Sequence, residues 1–124
     1  MTETAMQTRD DALAALEATT ALGPITHLPV WPGIDASLVQ AGLEALLAET
    51  ESAFDALEAG CTPDWPGLMD PLECLQDRMG RVFGAVLHLI SVKYSDALQA
   101  AYDAVRPKYV ALVTRIGQSR PVYQ

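Results

Sequence analysis

Two histidines, His27 and His88, and two cysteines, Cys61 and Cys74, are the residues of this 124-residue chain best suited to metal or nucleophile chemistry. Zinc peptidase chemistry on a helix needs two imidazoles one turn apart with a glutamate beside them, the HExxH pattern. Neither histidine is followed by it. Di-iron bundles need ExxH pairs from several helices, and there are none. No GxSxG elbow, P-loop or GxGxxG is present. Neither thiol has a histidine near it in sequence, and isolated thiols of this kind are inert core residues. His88 lies between two apolar rows and reads as a core or boundary histidine rather than a ligand. Tyr102 and Tyr109 fall at helical spacing and read as core residues with wet tips. From the residues alone, no catalytic, cofactor-binding or metal-binding residue is assigned.

The elements that would carry such groups are helical. Half of the residues are hydrophobic and 19% are charged, which fits a folded core and argues against disorder. Aromatics make up only 6%, so alanine and leucine carry the packing. The length fits one domain. Residues 1–7 are expected to be a disordered tail, and residues 8–124 a single helical domain. A short first helix is expected from Thr8 to Ala21, with Thr8 as N-cap and Asp10 and Asp11 at the positive end of the dipole. Residues 22–36 hold three prolines and two glycines. They are expected to form an extended arm pinned by Ile25, Leu28, Val30, Trp31 and Ile34.

The next stretch, from Ser37 to Gly60, opens with a Ser37-x-x-Gln40 capping box. Val39, Leu43, Leu46, Thr50, Phe54 and Leu57 then recur in steps of three and four, one face of an amphipathic helix. Gly60 suits its C′ position. Residues 61–69 form a connection rich in breakers, with Trp65 as a packing anchor. Asp70-Pro71-Leu72-Glu73 starts the third helix with an N-cap, a proline at N1 and an acid at N3. A start near Asp64, with Pro71 tolerated in the first turns, is the alternative. Leu68, Leu72, Leu75, Met79, Val82, Val86 and Leu89 make its seam. Phe83, Leu87 and Ile90 form a second apolar row, a candidate docking surface. Gly80-x-x-x-Gly84 would let a neighbouring backbone come close. The last helix is capped by Ser95 and carries Leu98, Tyr102, Val105, Tyr109, Leu112 and Ile116. Pro107 predicts a kink or break, and Gly117 a stop. The fold class expected is all-α: a bundle of three main helices, a shorter N-terminal helix and the Pro-rich arm.

Charge narrows the partners. The net charge is −8, and of the 16 acids all but Asp96 and Asp103 precede residue 78, where Arg9 is the one base among the total of 8. Acidic helices beside basic ones would neutralise each other through weak surface pairs. A strongly acidic chain is a poor nucleic-acid partner. The longest apolar run, VFGAVLHLISV, is too short for a bilayer, which needs roughly 20 residues. The start, MTETAMQTRDD, has neither a basic n-region nor an apolar h-region. A reducing cytoplasm is the expected location, with both thiols free.

Several short strings, taken together, carry a resemblance. Pro71-Leu72-Glu73, Asp77-Arg78, His88-Leu89, Ser91-Val92, Ala101-Tyr102, Pro107-Lys108 and Ile116-Gly117-Gln118 occur in an order and spacing that resembles the N-terminal region of the thimet oligopeptidase / oligopeptidase A family. These are zinc metallopeptidases of type M3. The similarity runs over roughly residues 25–118. It implies a helical domain that packs on a larger catalytic domain and helps wall a channel for short peptides. The zinc, its ligands and the general base would belong to the rest of such an enzyme, so no catalytic residue carries over. The implied partner is the catalytic domain, with self-association through the apolar row as the other outcome. A free-standing interaction or regulatory module derived from that domain is the alternative reading, and a remnant without a present role is a third.

Overall fold

A computed structural model describes residues 3–19 and 35–124. Among them the chain is helical, with α1 at Glu3–Thr19, α2 at Ala36–Gly60, α3 at Asp70–Val92, α4 at Asp96–Gly117 and a four-residue α5 at Arg120–Tyr123. The expected all-α class holds. Most of the Pro-rich arm, with His27, lies outside the described residues.

α2 is the hub, because α1, α3, α4 and α5 all pack on it while α3 and α4 touch each other sparingly. Short connections at residues 61–64 and 93–95 reverse the chain. Arg78 of α3 therefore meets Glu49 of α2, while Arg115 near the end of α4 meets Asp55 near the end of α2. α2 owes its place to its seam. Val39, Leu43, Leu46, Thr50, Phe54 and Leu57 are all buried, as the spacing predicts. Its start differs from the capping box. Asp35 is the N-cap, its Oδ1 accepting the Ser37 backbone N–H at 2.8 Å, which holds the carboxyl below its usual range. A carboxylate at the positive helix end outcompetes the hydroxyl two residues later. Gln40 instead donates to Glu44 one turn on, at 3.4 Å. Gly60 is the last helical residue, followed by an extended Cys61 cap, so no left-handed glycine is needed.

The Thr50 hydroxyl is buried in this seam and has no hydrogen-bond partner among the described residues. An unmade hydrogen bond in a core costs free energy that a methyl group does not. Thr50→Val is therefore expected to raise stability by roughly 1 kcal/mol. Urea denaturation checks this, and a loss of stability would refute it.

α3 begins earlier than its own proline motif suggests. Asp64 Oδ1 accepts the Gly67 N–H at 2.6 Å and caps a π-helical turn, Trp65–Met69, which runs into Asp70 without a break. The start near Asp64 is thus the one adopted. Gly67 is required there, because a Cβ would collide with the Thr62 Oγ1 and crowd Asp64 Oδ1. Trp65 is 59% exposed and does not anchor the connection. α4 is capped by Ser95 Oγ, which accepts from Leu98 N at 3.2 Å, and runs unbroken through Pro107. The proline loses one ladder bond on an exposed face, and the buried Val105 and Leu112 on either side hold the helix together.

α1 starts at Glu3 rather than Thr8, so residues 3–7, expected as a tail, begin the helix. Gln7 donates to Asp11 at 3.1 Å across one turn, which supports this earlier start. Ala12 and Leu13 are its buried residues among the described side chains.

Candidate functional site

Because α3 and α4 lean on α2 more than on each other, a groove of about 290 Å³ opens between them. Gln76, Met79 and Gly80 of α3 and Tyr109, Val113 and Ile116 of α4 line it, with Gly117 at its end. None of these side chains is charged, in a chain whose net charge is −8. At Gly80 and Gly117 an added Cβ would meet nothing within 4 Å, so the missing side chains leave open space for a visitor. Further along, Phe83 stacks on Tyr109 at a centroid distance of 4.1 Å and 19° between planes. This stack fills the cleft and defines the groove's limit. Val110 and Val113 stand exposed at the α4 rim, at 53% and 43%.

The second row of α3 does not form one patch. Phe83 and Ile90 are 3% and 9% exposed, taken into the core of the chain itself, while Leu87 is 48% exposed. The stacking partner Tyr109 covers Phe83. The exposed apolar residues beside the groove come from α4 instead. Val110 and Val113 each follow a seam residue, Tyr109 and Leu112, so the same two-row reading applied to α4 would have found them.

The side on which α4 meets α2 is polar. The Arg115 guanidinium meets Asp55 at 2.5 Å, Glu58 at 2.6 Å and Glu51 at 3.4 Å, and lies 5.2 Å over the Phe54 ring. The hydrogen bonds it donates to Asp55 and Glu58 hold its pKa above the usual arginine value. The Ser119 hydroxyl donates to the other Glu58 oxygen at 2.7 Å. That bond first, and Arg115 second, lower the Glu58 pKa below the ordinary glutamate value. Lys108 pairs with Glu44 at 3.6 Å on the same side. Acidic α2 and basic α4 thus neutralise each other, the arrangement the charge asymmetry implies.

The residues with chemical potential stay apart. His88 is exposed on α3, Cys74 is exposed, and Cys61 is half-buried with its Sγ 3.8 Å from the Pro121 carbonyl. Among the described residues no group of three or more His, Cys, Asp or Glu is placed to hold a metal ion. No described helix is long and apolar enough to cross a membrane.

Residues 43–124 match the family model described as neurolysin/thimet oligopeptidase, N-terminal domain. The probable cytosolic oligopeptidase A of Arabidopsis thaliana is 40% identical over 95 residues, covering 77% of this chain and 14% of the relative. The organellar oligopeptidase A, chloroplastic/mitochondrial, of the same plant is 41% identical over 95 residues, covering 77% and 12%. Oligopeptidase A of Escherichia coli (strain K12) is 33% identical over 87 residues, covering 70% and 13%. The chain therefore spans about one-seventh or less of the length of these relatives, 14% at most.

Proposed function

The chain belongs to the neurolysin/thimet oligopeptidase N-terminal domain family, and from that membership we propose that it is a non-catalytic helical domain of an M3-type zinc oligopeptidase. It docks through the α3/α4 face onto the catalytic part of the enzyme and helps enclose the space where short peptides are cut. The uncharged, open groove between Gly80 and Val113 carries this reading. Such a surface gains free energy only when another apolar element covers it. A helix is a suitable occupant, since the absent side chains at Gly80 and Gly117 allow close backbone approach. The zinc of such an enzyme supplies hydrolysis, and the described residues of this chain do not form a site that fits it. No hydrolytic step is therefore assigned to this chain. A cytosolic relative at 40% identity supports a cytoplasmic setting.

A graft tests the docking role. This chain replaces the matching N-terminal segment of the Arabidopsis cytosolic oligopeptidase A, and cleavage of a short fluorogenic peptide is followed. The graft is expected to retain cleavage. Val113→Asp within it is expected to lower the rate about tenfold or more, because an unpaired carboxylate resists burial. Val113 is 43% exposed in the chain by itself, so the isolated variant should keep its unfolding midpoint. An inactive parent graft, or a Val113→Asp graft as active as its parent, would count against docking through this face.

A further inference from the structure

α1 lies outside the region matched by the family model, which begins at Leu43 inside α2. Its seat explains an otherwise odd burial. Ala45 lies two positions beyond the seam residue Leu43, roughly 200° around the helix, yet it is 3% exposed. α3 and α4 occupy the seam side of α2. α1 packs on α2 as well, and its Arg9 and Asp10 border a groove that Ala45 also lines. That interface is smooth. The outer face of α2 presents Ala45, Ala48 and Ala56 beside α1, and an open groove runs along each flank of it, of about 480 and 610 Å³. Both grooves are lined by Arg9. Among the described side chains of α1, Leu13 is the one large apolar group that is buried. A lone helix of 17 residues is marginal in water, so α1 depends on this seat for its order.

We propose that α1 is a detachable strap that opens as a unit from the alanine face of α2 while α2, α3 and α4 stay folded. Alanine gives the strap little to interlock with, and among the described side chains Leu13 is its pin. Opening uncovers Ala45 and the adjoining Leu47, which is 5% exposed when the strap is closed. Leu13 belongs to the same buried cluster as Val39, Leu46 and Phe54, so opening withdraws one member of that cluster and leaves α2 packed on α3 and α4.

Hydrogen exchange on the full chain at neutral pH tests this. The α1 amides are expected to be protected above the unstructured rate but to exchange about 100-fold or more faster than the seam amides of α2–α4. Leu13→Asp is expected to erase the α1 protection and leave core exchange within about threefold, and Leu13→Ala to fall between. Three results would overturn the strap: α1 exchanging in step with the core, α1 without protection in the unsubstituted chain, or Leu13→Asp raising exchange across α3 and α4.

Discussion

Phe54→Ala is expected to lower the stability of this domain by about 3–5 kcal/mol, the largest effect of any single truncation considered. Phe54 is fully buried in the last third of the hub helix, where α2 meets α4, and its ring also lies beneath the Arg115 guanidinium at 5.2 Å. Truncation removes the ring from the core, leaves a cavity and takes away the surface on which the guanidinium rests. A small domain commonly has about 5–15 kcal/mol in total, so this loss is a large share of the whole. The urea midpoint should fall steeply with an unchanged slope. A loss below about 1 kcal/mol would mean that the α2 seam is not where the bundle is held.

Arg115→Ala is expected to be the most damaging of the surface substitutions, by about 1–2 kcal/mol. Exposed pairs contribute little one at a time, but here a single guanidinium joins Asp55, Glu58 and Glu51 and ties α4 to α2. Removing it leaves three acids within one helical face facing each other without their counter-charge. The effect has a pH signature. Glu58 has a folded pKa below its unfolded value, so its contribution is present above about pH 4.5 and is lost as pH falls through the lowered folded value. The gap between parent and Arg115→Ala should therefore narrow on acidification below that point. The Ser119 hydrogen bond is the largest single cause of the lowered Glu58 pKa, so Ser119→Ala should also reduce the acid dependence. Parallel urea titrations between neutral and acidic pH read both outcomes. A gap that widens in acid would contradict the assignment.

The bundle was legible where its physics is periodic. The α2 seam from Val39 to Leu57 and the α4 seam from Leu98 to Ile116 follow from spacing alone, since a 3.6-residue repeat has one apolar face to bury. The charge asymmetry between the acidic first part and the basic remainder foretold acidic helices beside basic ones, but not which residues would pair. Competing local choices were less legible. Ser37 and Asp35 are both good caps, and Asp64 and Asp70 both precede a proline. Which one caps depends on backbone geometry that the sequence does not display. A second apolar row on α3 marks extra burial but not its provider, and Tyr109 of the same chain supplies it for Phe83. The groove itself depends on how far α3 and α4 diverge over α2, a tertiary quantity. The family was legible from joint short strings such as Pro71-Leu72-Glu73, and the match over residues 43–124 bears it out. Several of these family residues lie on the outside: Glu73 is exposed and Asp77 pairs with Arg81 at 2.9 Å.

The claim beneath the rest is that this chain supplies packing surface and leaves hydrolysis to other parts of an oligopeptidase. The most direct measurement incubates the purified chain with zinc and a fluorogenic oligopeptide, with and without a chelator. The expected result is a rate equal to that of peptide and zinc alone, unchanged by the chelator. Cleavage that requires the chain and zinc together, and stops when the chelator is added, would contradict it.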